Sequence, residues 1–395
     1  LGTEASIHKY LTKLSLGQAK RYGENMVTTS QREKVGARKH DSKKRKTAPK
    51  AEKRSPLYVD RNSLKNLGPV AVAYSHVERE WFDTEESYLA EVEVEGRAEQ
   101  VIEALKELGI DAKGYPGDQY FFTNLIVDDP VLVVNLVDTL KGRDILQTSI
   151  PAALELANIP YTGAGMQGLV IGNNRDLIKQ LLIASDIPTP EFQVIRRAGT
   201  KIDRDLHLPL IVKLNESGGS VGIDNKAVKE TYEEAEEQVN ELIKTYHLQV
   251  VVERFIDGPE VTAVVYDDGK RKHTFLGEKV FKFKPDGKHA FTSLESYEDI
   301  DAYTYKLVDE PLASKITKLV EKAFTILRYK DYAKFDIRVD EETNTPYFTD
   351  ANPNTAFGPD PGLPMTEVLA LNGIDFKTLL ASLISKHAKK IKKGA

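Results

Sequence analysis

The sequence predicts an α/β fold, and three observations predict it. Continuous apolar runs such as VAVAYS at 70–75 and VLVVNLV at 131–137 have the composition of strands buried on both faces. Between them, RAEQVIEALKELG places Val101, Ile102, Leu105 and Leu108 on one face of a helix. Beyond Pro160 strands and helices continue to alternate up to a closing helix near 375–392.

In order along the chain, the first alternation suggests a small α/β domain with a parallel sheet reaching about Pro160. TGAG at 162–165 reads as a turn before a helix. NRDLIKQLLIASD at 174–186 is the next helix, stopped by Pro188 and Pro190. Strands near 191–196, 208–214 and 248–253 bracket an acidic helix around 229–246, whose charge run reads as a solvated face. From Glu253 a third unit is expected, with several strands and a helix at 311–328. The expected organisation is a tail at 1–55, an N-terminal α/β domain at 56–160, a central subdomain at 161–252 and a C-terminal domain at 253–395.

With 395 residues and 41% hydrophobic content, the chain can form two or three packed units. Zero cysteines exclude a disulfide framework, thiol catalysis and thiolate zinc, and a cytoplasmic location is expected. The eight histidines show no metal-ligand spacing. No apolar run approaches the ~20 residues of a membrane helix, so no membrane partner is expected. No charged-apolar-small signal pattern opens the chain, whose first residue is Leu.

The net charge of −5 is unevenly spread. Residues 1–55 hold 15 Lys+Arg against 5 Asp+Glu, a formal +10, which leaves 40 against 55, or −15, for the rest. That tail, with KKRK at 43–46, reads as a disordered extension, and nucleic acid is expected as a partner nowhere else. Ile7, Leu11 and Leu14 sketch a short amphipathic helix within it.

Four segments carry the chemistry. LPLIVKLNESGGSVG at 208–222 sets Lys213 on an apolar strand just before a glycine-rich turn, where a lysine can lie along a polyphosphate under backbone N–H groups. VVVERFIDGPE at 250–260 runs from a buried strand into a turn carrying two glutamates. KFDIRVD at 334–340 puts Asp336 on a strand, and YFTDANPNTAFG at 347–358 ends another with Asp350 and Asn352. Strand residues two apart share a face, so Asp350 and Asn352 project together. Two carboxylates and an amide oxygen suit Mg²⁺, a hard cation that keeps company with substrate phosphates. No G-x-G-x-x-G follows the first strand and no G-x-x-x-x-G-K-[ST] occurs, which argues against a Rossmann dehydrogenase and a P-loop kinase.

In this order the four segments resemble the ATP-grasp ligases, and within them the D-alanine–D-alanine ligase family, over roughly Pro69 to Ala388. The resemblance implies an ATP-grasp fold: a Rossmann-like N-terminal α/β domain, a central lid and a C-terminal α+β domain. It implies that Lys213 and Arg175 contact ATP phosphates, with Ser217, Gly218, Gly219 and Ser220, through Gly222, as a mobile flap. Glu253 would meet the adenine amino group, Phe255 and Ile256 would offer hinge backbone groups, and Glu260 would take the ribose hydroxyls. Asp336, Asp350 and Asn352 would hold two Mg²⁺ ions, with Mn²⁺ as a substitute. Glu78, in HVERE at 76–80, matches a glutamate that helps place the first amino acid. The implied partners are ATP and small carboxylate and amine substrates, amino acids or peptides, and a homodimer is compatible with the family. The implied reaction forms a peptide bond through an acyl phosphate, with Lys334 and the Ala356 N–H as oxyanion donors.

The sequence also departs from the family. Lys334 stands where the family has an arginine, and Pro361 where it has a carboxylate-binding serine; a lysine lacks the planar fork, and a proline offers neither hydroxyl nor N–H. Ala356 replaces a glycine, and NLVDTLKGRD at 135–144 occupies the place of a His-Gly segment. FTSLESYEDIDAYTY has no clear Lys-Tyr pair, although Lys279, Lys282 and Lys284 precede it. A different substrate is therefore expected, and an ATP-binding regulatory or scaffold protein without ligation is the alternative.

Overall fold

The computed structural model describes residues 57–394 apart from 285, 295–298 and 300. The expectations for the basic tail, including the helix at Ile7 to Leu14, lie outside these residues. Three strands, β1 (Val70–Tyr74), β2 (Ala112–Pro116) and β3 (Leu132–Leu136), form a parallel sheet in the order β2-β1-β3. Helix Val94–Glu107 covers one face with Ala98, Val101 and Leu105, while Ile102 and Leu108 are partly buried beside them. Helices Phe121–Asp128 and Ser149–Leu156 cover the other with Phe121, Leu125, Ile150 and Leu154. Burial on both faces explains why these strands are apolar throughout rather than alternating.

Helix Arg175–Ile183 starts at Asn174, whose side chain accepts from the Leu177 N–H at 2.9 Å, and Pro188 and Pro190 follow it. Next come β4 (Phe192–Ile195), β5 (Leu210–Leu214), β6 (Val228–Lys229) and β7 (Val250–Arg254), an antiparallel sheet in the order β4-β7-β5-β6. Helix Tyr232–Tyr246 opens with a Thr231/Glu234 capping box and seats Ala235, Val239 and Leu242 on the sheet. Its acidic face is not wholly solvated, contrary to expectation. Glu236 is buried and accepts from Lys201 Nζ at 2.6 Å and the Ile202 N–H at 3.2 Å, tying down the loop after β4. β7 also runs through Glu253, so a boundary at 252/253 falls inside a strand.

The last sheet is antiparallel, β10-β9-β8-β11-β12, built from β8 (Glu260–Asp267), β9 (Lys272–Phe281), β10 (Tyr303–Lys306), β11 (Tyr332–Val339) and β12 (Pro346–Asn352). Alternation along β8 sends Val261, Ala263 and Val265 to a core shared with helices Arg175–Ile183 and Leu312–Ile326. The opposite face is divided. At one end Val264, Tyr266 and Tyr332 meet helices Pro364–Leu371 and Phe376–Gly394 in an apolar core. At the other end the same alternation presents Glu260, Thr262, Lys334, Asp336 and Arg338, which register as Glu260 opposite Arg338 and Thr262 opposite Asp336. This ionic end positions the site. Among the described residues no single helix is long and apolar enough to cross a membrane.

Candidate nucleotide and metal site

Lys213 and Glu253 lie on adjacent strands of the central sheet, and the Lys213 ammonium bonds Glu253 Oε1. Lys179, from helix Arg175–Ile183, reaches the same carboxylate, 2.5 Å from Oε2, off the angle of a hydrogen bond, and also donates to Thr189 Oγ1 at 2.9 Å. Glu253 is 1% exposed. Burial raises its pKa, but Lys179 and Lys213 outweigh burial and hold it below the usual carboxylate range. Burial lowers the Lys179 ammonium, partly opposed by Glu253. Lys179 was not singled out from the sequence, although it stands four residues after Arg175 on the same helical face.

Arg175 ties the turn after β5 to β12. Its guanidinium donates to the Leu214 carbonyl at 2.7 Å, to the Ser217 carbonyl at 2.5 Å and to Asp350 Oδ2 at 2.7 Å. Its Nε is buried with no hydrogen-bond partner among the described residues, an unused donor of the kind a phosphate oxygen satisfies. The flap beyond it needs left-handed backbone at Gly219, Ser220 and Gly222, and two glycines supply most of that freedom. Two carboxylates of the N-terminal part hold it: Asp144 accepts from the Gly218 N–H at 3.0 Å, and Glu86 from the Gly222 N–H at 2.7 Å. Burial pushes Asp144 up to about 6 despite the Gly218 hydrogen bond and Arg175. Neither acid was identified from sequence.

On the last sheet, Asp336 pairs in register with Asp350, and Lys334 with Asn352. The register then shifts, because Thr349 is an extra residue on β12 and donates its hydroxyl to the Asp336 carbonyl at 3.0 Å. Such a bulge re-aims the side chains beside it. Lys334 bonds Asp336 Oδ2, and Arg175 bonds Asp350. Burial raises the Asp350 pKa, but Arg175, Lys213 and Lys334 lower it to about 2, so it is ionised at neutral pH. Among the described residues no cluster of three or more His, Cys, Asp or Glu could hold a metal. The candidate set is two carboxylates and an amide, which fits Mg²⁺ only in company with phosphate oxygens and water.

Glu260 is engaged on all sides, accepting from Lys279 at 2.7 Å, Arg338 at 3.2 Å and Thr292 Oγ1 at 2.7 Å. Burial raises its pKa and these cations bring it down to about 2. Lys279, noted in the sequence only as a flanking lysine, is thus its closest cation. Glu253 and Glu260 do not share a turn as expected: Glu253 is within β7, Glu260 opens β8, and only 255–259 turn between them. Of the hinge groups, the Phe255 N–H donates to the Pro209 carbonyl at 2.8 Å and the Ile256 carbonyl accepts from Arg338 at 2.5 Å. Among the described residues the Phe255 carbonyl and the Ile256 N–H have no hydrogen-bond partner. Glu78 stands apart, with His76 at 3.0 Å and no contact to the cluster above among the described hydrogen bonds. Ala356 follows β12 in the loop that ends at helix Pro364–Leu371.

A lysine strand and glycine-rich flap facing a carboxylate pair on a second antiparallel sheet is the ATP-grasp arrangement, and the comparisons agree with it. The chain belongs to the D-Ala–D-Ala ligase family: the model described as "D-ala D-ala ligase C-terminus" matches residues 181–385. Relatives include a D-alanine–D-alanine ligase of Polaromonas sp., 25% identical over 73% of this chain and 84% of that protein. An uncharacterised protein of Sinorhizobium fredii is 28% identical over 65% of this chain and 77% of its own. The crystal structure of the Bacillus anthracis D-alanine–D-alanine ligase complexed with ATP superposes with a TM-score of 0.62 at 17% identity, covering 83% of this chain and 100% of that one. That likeness establishes the ATP-grasp fold.

Proposed function

We propose that this protein is an ATP-dependent carboxylate–amine ligase that forms an amide or peptide bond through an acyl phosphate, acting on ATP and small amino-acid or peptide substrates in the cytoplasm. The observation that carries the reading is the in-register Asp336/Asp350 pair joined through Arg175 to the Lys213 strand and its flap. In this reading Lys213 and Arg175 hold the polyphosphate, the Phe255 carbonyl and Ile256 N–H hold adenine beside Glu253, and Glu260 faces the ribose. Asp336, Asp350 and Asn352 would hold Mg²⁺, which when bound spreads the charge that develops on the transferring phosphoryl group. Lys334 and the Ala356 N–H stabilise the oxyanion formed as the amine attacks, and Glu78 orients the first substrate.

The test is ADP release on mixing the protein with ATP, Mg²⁺ and an amino-acid panel, with products identified by mass. Tight ATP binding without acceptor-dependent ADP release would favour the regulatory or scaffold reading, for which Lys334 and Pro361 speak.

Two further results are expected. Asp350→Asn keeps the shape and removes one negative charge, so half-saturating Mg²⁺ should rise about tenfold or more, and the melting temperature should also fall because Arg175 loses its counter-ion. Coincident Mg²⁺ titrations of variant and parent would move the metal site elsewhere. Deleting residues 1–55 should leave melting temperature and ATP use nearly unchanged, since that segment is basic and polar. A large loss of either would show that it packs on the body.

A further inference from the structure

Residues 288–294, between β9 and β10, cover the groups that the ligase reading gives to adenosine. Thr292 stands on Glu260. Its hydroxyl donates to Glu260 Oε1 at 2.7 Å and accepts from Lys279 at 2.6 Å, and its N–H donates to Oε2 at 3.3 Å. Lys279 adds a donor to Oε1 at 2.7 Å and Arg338 one to Oε2 at 3.2 Å. A carboxylate offers about four lone-pair positions, and these hydrogen bonds use them all. Glu260 is also buried. A ribose diol would bring two more donors to an anion whose positions are taken.

Phe291, one residue earlier, is buried with Ile211, Ile223 and Val228, and its ring meets that of the hinge residue Phe255 with centroids 6.1 Å apart. Both ends of the segment are tied to the central subdomain. Lys288 and His289 each reach Glu230 Oε1 at 3.2 Å, and the Leu294 N–H donates to the Ile223 carbonyl at 2.9 Å, just beyond the flap glycine Gly222. The phosphate side of the site differs, since Arg175 Nε has no hydrogen-bond partner among the described residues. The ligase reading gives Thr292 no task, yet its hydroxyl makes the contact to Glu260 that a sugar hydroxyl would make.

We propose that residues 288–294 are an autoinhibitory strap, in which Thr292 occupies the ribose position on Glu260 and is displaced by the hydroxyls of a nucleoside triphosphate. This inference rests on the nucleotide part of the ligase reading and deepens it. The exchange is balanced at the carboxylate: two ribose hydroxyls replace the Thr292 hydroxyl and N–H as donors, so Glu260 keeps its full set of partners. Apparent nucleotide affinity is then the intrinsic affinity scaled by the fraction of molecules whose strap is released. A lid that closes over bound nucleotide has the opposite signature, a segment held more firmly in the complex than without it.

Amide hydrogen exchange at Thr292 in the full chain reads the strap directly. ATP should speed it about fivefold or more, because the N–H leaves Glu260. The 2′,3′-dideoxy form of ATP, with the same base and phosphates but no hydroxyl for Glu260, should leave it unchanged. Thr292→Val keeps the shape and removes the hydroxyl, so its Kd for ATP should fall about tenfold while that for the dideoxy nucleotide stays the same. Thr292→Ser should behave as the parent does. Slower exchange with ATP, equal release by both nucleotides, or an unchanged or raised Kd for ATP in Thr292→Val would overturn the strap and leave the nucleotide reading standing. ATP binding by Thr292→Val alone would uphold the strap, whereas no ATP binding by parent or variant rejects the strap and the nucleotide reading together. Should Thr292→Val fail to fold, the exchange comparison on the parent decides by itself.

Discussion

Lys213→Ala is expected to lower kcat/KM for ATP by about two orders of magnitude, on the order of 3 kcal/mol of transition-state stabilisation for a preorganised charge aimed at a phosphate. The structure shows why the charge is preorganised. Lys213 is 7% exposed, fixed on the central sheet and held by Glu253, so ATP would meet an ammonium that has already been oriented and desolvated. Part of any loss could arise indirectly, because Glu253 would then depend on Lys179 alone. Lys179→Met separates the two effects: it removes the other cation from the same carboxylate without touching the strand lysine. A loss confined to Lys213→Ala assigns that charge to the phosphates, whereas equal losses assign both lysines to holding Glu253. Unchanged nucleotide affinity and turnover in Lys213→Ala would end the assignment altogether.

Much of this site was legible because its residues sit on elements whose periodicity is local. Lys213 interrupts an apolar strand, and Asp336 and Asp350 sit on strands that alternate apolar and polar residues, where ionisable groups are conspicuous in sequence. What could not be read was pairing across the chain. Arg175 meets Asp350 over 175 residues, Glu86 meets Gly222 over 136 and Asp144 meets Gly218 over 74, and no local pattern encodes such contacts. The Thr349 bulge escaped for a related reason, since it exists only relative to the register of β11. Glu236 was misread because a charge run carries no mark of which member turns inward to meet Lys201 and the Ile202 N–H. The boundary expected at 252/253 also fell inside β7. Its apolar run ends at Val252, yet Glu253 and Arg254 continue the ladder, Glu253 kept there by two lysines from elsewhere in the chain.

The second large effect concerns the acceptor. With D-alanine as the only difference between reactions, we expect D-alanyl-D-alanine to be a minor product when D-alanine competes at equal concentration with the other amines of the panel. The groups that would hold the carboxylate of a second D-alanine on the β11 side are altered together. Lys334 spends its ammonium on Asp336, and Pro361 replaces a hydroxyl with a ring that has no donor. A hydrogen bond to a charged group contributes about 1.5 to 3 kcal/mol, so two such losses shift discrimination by a factor of about a hundred or more. An amine that is bulkier or lacks that carboxylate then competes better. Product masses from the competition measure this directly. D-alanyl-D-alanine dominating, at a kcat/KM near ~10⁴ M⁻¹s⁻¹ or above, would mean that Lys334 leaves Asp336 in the working complex and serves the acceptor after all.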